Sequence, residues 1–182
     1  DGIGHKYGMN SPEYQDRLTL LGTWLDEILK LYHDYGGKDY FILSDHGMMD
    51  VHTYINIVDW TKKITKDYNA DVFWDSLYIA IHTENKIDDE LLKEYPDIHW
   101  FDSEERLKYG ITSKKFGKYI GVIADGKAFS PNKFGFKKLK AYHGYIPNPS
   151  CDYNYGIIAS NRKLPPEISS MEAYDYMCDA LE

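Results

Sequence analysis

Five side chains grouped around glycines could do chemistry in this sequence. They are Asp1 and His5 in Asp1-x-x-Gly4-His5, Asp45 and His46 in Asp45-His46-Gly47, and His143 in His143-Gly144. Two carboxylates and three imidazoles make a nitrogen and oxygen donor set suited to zinc. A single catalytic zinc keeps about three protein ligands and an open position, so five donors are too many for it. Two zincs about 3.5–4 Å apart would need about six, with a bridging or attacking oxygen between them. The arithmetic points to a two-metal site with part of its ligand set missing. A blander reading of Asp45-His46 also stands: a polar turn after a strand, with Asp45 as a cap.

The element that must position Asp45 and His46 is the run Tyr-Phe-Ile-Leu at 40–43. It is short and unbroken in its apolarity, which predicts a strand buried on both faces of a mostly parallel sheet. It ends at Ser44-Asp45-His46-Gly47, and in open α/β sheets ligands sit just beyond the carboxyl ends of strands. Upstream, Ser11-Pro12-Glu13 predicts a helix start, with Ser as N-cap and Pro in the first turn. Tyr14, Leu18, Leu21, Leu25, Ile28, Leu29 and Tyr32 then recur at helical spacing, a stripe predicted to pack on the sheet. Gly36-Gly37 closes that helix. Helix, short loop and buried strand are the second half of a βαβ unit. Residues 1–8, with three glycines, read as an irregular loop.

Further along, 54–60 reads as a strand passing into a short helix that runs through Lys63. Residues 71–82, aromatic and β-branched, predict one strand. A short acidic helix at 87–95 is stopped by Pro96, followed by a brief strand at 98–101 and a helical turn at 103–108. Asp125-Gly126 between apolar runs predicts a β-hairpin within 118–130. These alternating short elements predict an α+β subdomain inserted at about 68–140, into a core made of 1–67 and 141–182. Ten of the chain's 21 lysines and arginines fall within 106–140, where Asp125 is the single acid. A solvated basic face accounts for them, and an electropositive rim that draws in an anionic substrate is the functional alternative. Residues 155–159 predict another buried strand. Ser169-Ser-Met-Glu172 is a capping box opening a last helix, with Met171, Tyr174, Met177, Cys178 and Leu181 on its inner face. His33 falls at a helix end, His82 and His99 in subdomain strands, and His52 at the surface. Tyr142 and Tyr145 are expected to hold the His143 loop by packing.

The composition is globular: 182 residues, 43% hydrophobic and 15% aromatic, enough for one domain or part of a larger one. A formal net charge of −8 argues against a surface built for polymeric nucleic acid or anionic membrane. No apolar run approaches the roughly 18 residues that span a bilayer. The two cysteines, Cys151 and Cys178, make no disulfide framework and lean toward a cytoplasmic setting. The chain opens on Asp1, so the lack of a signal peptide excludes nothing and the compartment stays open.

Asp-x-x-Gly-His-x-x-Gly at 1–8, Ser-Asp-His-Gly-Met at 44–48 and His-Gly-Tyr at 143–145 together resemble the type I phosphodiesterase/nucleotide pyrophosphatase family of the alkaline phosphatase superfamily. Glu105-Arg-Leu-Lys-Tyr-Gly110, 120–126 and Phe134-Gly135 resemble that family's segment before its last histidine. The resemblance covers essentially the whole chain, which would correspond to the C-terminal half of a family member. It implies an alkaline-phosphatase-like α/β fold. It also implies two zinc ions, one held by Asp1, His5 and His143 and the other partly held by Asp45 and His46. The family's remaining ligand and its nucleophilic Thr or Ser lie in its N-terminal half and have no counterpart here. Ser44 adjoins the site, but the family does not use that serine. The implied activity is zinc-dependent hydrolysis of phosphodiester or pyrophosphate bonds through a covalent intermediate. The expected substrate is a small anionic phosphoester, nucleotides included. Phosphonoacetate hydrolase and cofactor-independent phosphoglycerate mutase share the metal motifs. The 97-position gap from His46 to His143 fits the phosphodiesterase pattern better than the mutase one. A non-catalytic metal-binding module is the reading of a different class.

Overall fold

The computed structural model describes residues 1–133, 135, 137–148 and 151–180. Its first residues are not the irregular loop expected but a short helix, α1 (Gly2–Tyr7). Bonds from the His5 N–H to the Asp1 carbonyl (3.1 Å) and from the Gly8 N–H to the Gly4 carbonyl (2.8 Å) wind it. Gly4 serves close approach and not looseness: it is buried, and a Cβ there would overlap the sulfur of Met48. Ser11 caps α2 (Pro12–Asp34), its hydroxyl accepting from the Tyr14 N–H at 3.2 Å.

The stripe of α2 predicted to be core is open. No residue of this helix is buried, and Leu18, Leu21 and Ile28 are 45%, 43% and 60% exposed. The described residues supply no surface that covers it. β1 (Phe41–Leu43), predicted to be buried on both faces, is half-buried at Phe41 and Ile42 and exposed at Leu43. The motif residues 44–48 follow, and then β2 (Met49–Asp50).

The well-packed part of the molecule comes next. β3 (Thr53–Ile55) leads into α3 (Val58–Tyr68). The single strand predicted over 71–82 is two strands, β4 (Asp71–Trp74) and β5 (Tyr78–His82), folded back on each other. The turn is closed by the Asp75 N–H donating to the Tyr78 carbonyl at 3.0 Å, and the Asp75 carboxylate also accepts the Ser76 N–H at 2.7 Å, within an otherwise strand-like run. α4 (Asp89–Lys93), β6 (Ile98–Trp100), α5 (Ser103–Lys108), β7 (Tyr119–Ile123) and β8 (Lys127–Phe129) complete the region. β4, β5, β7 and β6 form an antiparallel sheet in that order. The hairpin predicted around Asp125-Gly126 does not form. Both edges of β7 are already taken, by β5 and β6, so β8 passes on and pairs in parallel with β3. The turn itself is there, with Gly126 at φ +70.

Ile64, Ile79, Ile81, Ile87, Ile57 and Phe129 are the largest fully enclosed side chains, and they lie where α3, the four-stranded sheet and β8 meet. The expected subdomain at about 68–140 therefore shares its core with α3 and with Met49, Tyr142 and Tyr145 beside the motifs.

β9 (Ala141–Tyr142) pairs antiparallel with β2, and β10 (Ile158–Ser160) pairs antiparallel with β1. The β1–β10 ribbon is closed by Arg162, whose guanidinium donates to Asp39 at 2.9 Å. The pair sits close to solvent, and the hydrogen-bonded guanidinium holds the Asp39 carboxyl below its ordinary value. Neither β10 nor the residues before it are buried as predicted: Tyr155 is 45% and Ile157 67% exposed. α6 (Ser170–Asp179) opens on the expected capping box between Ser169 and Glu172. Its predicted inner face is mostly outside, with Met171 75% and Tyr174 61% exposed, while Ala173 is the buried residue and Met177 and Cys178 are half-buried. Leu181 lies outside the described residues. The class is mixed α/β, as expected. The pairing within it differs from a mostly parallel sheet, β3–β8 being the parallel pair among the described strands. No helix among the described residues is long and apolar enough to cross a membrane.

The uneven burial has a measurable consequence. Ile81→Ala, in a site with no exposure, should cost about 2–5 kcal/mol in urea unfolding. Ile28→Ala, on the open stripe of α2, should stay within about 0.5 kcal/mol of the unsubstituted chain.

Candidate metal site

Three segments carry the five candidate ligands, and the backbone draws them to one place. α1 carries Asp1 and His5, the loop between β1 and β2 carries Asp45 and His46, and His143 directly follows β9. Met49 pairs with Tyr142 and Asp50 with Ala141, which sets the Asp45-His46 loop beside His143. The Lys140 N–H donates to the His5 carbonyl at 2.7 Å, and the Val51 N–H donates to the Lys140 carbonyl at 2.8 Å. α1 is thereby tied across the end of the β2–β9 ladder. Glycines allow the approach: a Cβ on Gly47 would overlap the carbonyl oxygen of Tyr153 and crowd that of Tyr155.

Asp1, His5 and His143 each present a donor atom within 4.8 Å of the others. The Asp1 Oδ1 lies 3.2 Å from His5 Nε2 and 3.5 Å from His143 Nε2. The His5 Nδ1 faces the Ala141 carbonyl at 2.7 Å. A carbonyl can only accept, so Nδ1 carries the proton and Nε2 keeps its lone pair for a metal. His46 repeats the device, with Nδ1 2.7 Å from the Gly47 carbonyl. Its Nε2 lies 3.4 Å from Asp45 Oδ2. The His46 and His143 rings stack at 3.5 Å with 11° between their planes, so the two groups of ligands adjoin. Burial pushes the His143 pKa below the ordinary histidine value, and the neighbouring His46 and His5 push it the same way. A neutral imidazole is the form that binds metal.

A carboxylate and two imidazoles that converge through Oδ1 and Nε2 atoms fit zinc by donor type. Asp45 and His46 fit two positions of a neighbouring ion.

The other residues singled out in the sequence take plainer places. The Ser44 hydroxyl accepts the Ile157 N–H at 2.8 Å, fastening the loop to β10. Tyr142 and Tyr145 are buried, and the Tyr145 hydroxyl donates to the Lys127 carbonyl at 2.9 Å. Burial raises the pKa of Tyr145 and pushes that of Tyr54, which donates to the Leu139 carbonyl, up to about 12. His33 caps the end of α2 against the Gly37 carbonyl, and His52 is exposed beside Thr53. In the basic stretch, Lys127 pairs with Asp97 and Lys133 with Asp75, while Lys118 and Arg106 bind backbone carbonyls. These four cations are thus engaged locally. Sequence reasoning passed over Asp50, which binds the turn after α1; its type and position carried no motif signal.

A family model, type I phosphodiesterase / nucleotide pyrophosphatase, matches residues 1–115. The chain belongs to this family. Human ectonucleotide pyrophosphatase / phosphodiesterase 5 superposes with a TM-score of 0.71 at 22% identity, covering 100% of this chain and 51% of that one. The murine protein of that name, solved as an inactive variant with AMP, gives 0.64 at 22% identity, over 88% of this chain and 44% of that one. Phosphonoacetate hydrolase from Sinorhizobium meliloti 1021, solved with phosphonoformate, gives 0.70 at 17% identity, over 99% and 49%. At these identities the likeness shows the fold. The chain spans about half the length of these relatives. No curated protein matches it.

The lowered His143 pKa sets a pH dependence for the metal-free chain. Between about 6.5 and the lowered value, the unfolded chain holds a proton on this ring that the folded chain does not. This contribution to stability is therefore complete above about 6.5 and is lost as pH falls through that window. Ring-proton NMR should show His143 titrating below the ordinary value, and His46→Ala should move it back upward.

Proposed function

We propose that this chain supplies most of the metal ligands of a zinc-dependent hydrolase that cleaves phosphodiester or pyrophosphate bonds. The observation that supports the reading is the convergence of Asp1, His5 and His143, with Asp45 and His46 alongside, in a chain of the phosphodiesterase family. Asp1, His5 and His143 would hold one zinc, and Asp45 with His46 two positions of a second. When bound, such a pair draws in phosphoryl oxygens, lowers the pKa of the attacking hydroxyl and offsets the charge that develops during in-line displacement.

The work of this chain's own residues is preparatory. Backbone carbonyls of Ala141 and Gly47 fix the tautomers of His5 and His46, and burial keeps His143 neutral. Ser44 is occupied with the backbone N–H of Ile157 and has no part as a nucleophile in this reading. The attacking group is a Thr or Ser hydroxyl in the portion of the domain that the relatives have and this chain does not span. Its oxygen bonds to phosphorus, the leaving group departs with the electron pair of the broken ester, and water then cleaves the phospho- or nucleotidyl-enzyme. The open stripe of α2 and the half-buried β1 are suited to packing against that same portion. The substrate is a small anionic phosphoester, and the AMP held by the murine relative supports a nucleotide.

Phosphonate hydrolysis is the second reading, favoured by the likeness to phosphonoacetate hydrolase. Zinc calorimetry on the 182-residue chain, beside an assay with a nitrophenyl phosphodiester, tests the proposal. One zinc should bind well and a second weakly, His5→Ala should remove the first, and turnover should be negligible without the remaining part of the domain. With that part present, turnover of the phosphodiester and not of phosphonoacetate is expected. Two tightly bound zincs with clear turnover by this chain alone would overturn the assignment of a missing nucleophile. Failure to bind zinc at all would overturn the metal site.

A further inference from the structure

We infer that Asp50 is a positioning residue that holds the ligand-bearing segments in register, a role that rests on the metal-site reading above. Asp50 touches none of the five candidate ligands. Its Oδ1 accepts the backbone N–H of Met9 at 2.6 Å, and its Oδ2 accepts the side-chain amide of Asn10 at 3.0 Å. Met9 and Asn10 are the turn between α1 and α2, so the carboxylate grips the segment that carries Asp1 and His5 just past its end. Through its backbone, Asp50 belongs to β2 and pairs with Ala141, whose carbonyl receives the His5 Nδ1 proton. The bonds close a ring: His5, the end of α1, Met9, Asp50, Ala141 and back to His5. His46 lies four residues before Asp50, and His143 lies two residues after Ala141. The segments that carry His46 and His143 therefore meet in the Asp50–Ala141 backbone pair, and the Asp50 carboxylate joins the α1 turn to them.

Gly8 shows how closely the turn is fitted to Asp50. It has φ +91, a conformation that L side chains rarely adopt, and a Cβ on it would stand 3.1 Å from Asp50 Oδ1. An ionised carboxylate suits this place because it offers two acceptors and no donor to two N–H groups, in bonds stronger than neutral ones. Cutting the grip releases α1 from β2 at one end while leaving the Lys140 to His5 bond at the other. His5 can then swing relative to Ala141 and His143. Groups that orient ligands without touching the metal commonly change affinity by about 10–100-fold.

The test uses the 182-residue chain with three substitutions, zinc affinity measured by competition with a chromophoric chelator, and ¹⁵N NMR of the histidine rings in zinc-free protein at a pH where they are neutral. Asp50→Ala should weaken zinc by about 10–100-fold. It should also turn the single Nδ1–H tautomer of His5 into a mixture. Asp50→Asn should lose less than about tenfold, because Asn10 can turn its amide over and keep two neutral bonds. Asp97→Asn, which breaks the Lys127 ion pair away from the site, should leave affinity and tautomer unchanged and so serves as the control for general loosening. Should Asp50→Ala fail to fold, a Gly8→Ala substitution, which crowds the same carboxylate, should shift the His5 tautomer in its place. The inference is overturned if Asp50→Ala keeps both the affinity, within about twofold, and the single tautomer, or if Asp97→Asn disturbs them as much. Should the unsubstituted chain bind no zinc, the metal-site reading falls and the tautomer decides alone: a mixture in Asp50→Ala upholds the positioning of His5 and a single form overturns it.

Discussion

The candidate site depends on a ladder of two residue pairs. Met49 opposite Tyr142 and Asp50 opposite Ala141 join parts of the chain that lie more than ninety positions apart, and α1 is laid across their end. Asp45, His46 and His143 lie within a few residues of that contact, and the bonds of α1 bring Asp1 and His5 to it. Such a short ladder is weak by itself, since a two-stranded ribbon is marginal in water. It holds because Met49 and Tyr142 belong to the buried cluster around α3 and the four-stranded sheet. The rigid part of the molecule thus ends where the donors begin. The last link is made by polar atoms: two ring nitrogens on carbonyls and one carboxylate on a turn.

How much of this was legible in the sequence follows from what each signal depends on. The motif residues could be picked out because donor types and glycine spacing are chemical facts of the chain, independent of packing. Caps were legible for a similar reason: Ser11 and Ser169 act on backbone within three residues of themselves. Burial was not. The stripe on α2 has the period of a core helix and stands in solvent, because periodicity tells which face wants cover and not whether cover exists. The hairpin at Asp125-Gly126 failed on a non-local fact, the prior occupation of both edges of β7. The turn at Asp75 was missed because its two polar residues, Asp75 and Ser76, sit in a run of strand-forming neighbours, and the Asp75–Tyr78 bond that closes it joins backbone atoms. The glycines of residues 1–8 misled in the other direction, since Gly4 is there to admit Met48 and not to loosen the chain.

The well-packed middle of the chain and the segments that carry the motifs divide the labour. Residues of α3, the four-stranded sheet and β8 account for most of the enclosed apolar side chains, while the ribbon of β1 and β10 is held by hydrogen bonds and the Arg162–Asp39 pair. An exposed ion pair of that kind contributes little to stability. Among the basic residues of 106–140, Lys127, Lys133, Lys118 and Arg106 fasten this region to itself, as Lys127 does with Asp97.

The open helix α2 has one more implication. It contributes no residue to the buried cluster, and neither do β1 and β10. Their amide protons can reach water by local opening, with the rest of the chain still folded. Those of β5 and β7, whose edges are both paired and whose Ile79, Ile81, Val122 and Ile123 are buried, must wait for global unfolding. In deuterated solvent the molecule would label in two waves, the first sweeping through α2 and the β1–β10 ribbon on either side of the candidate ligands.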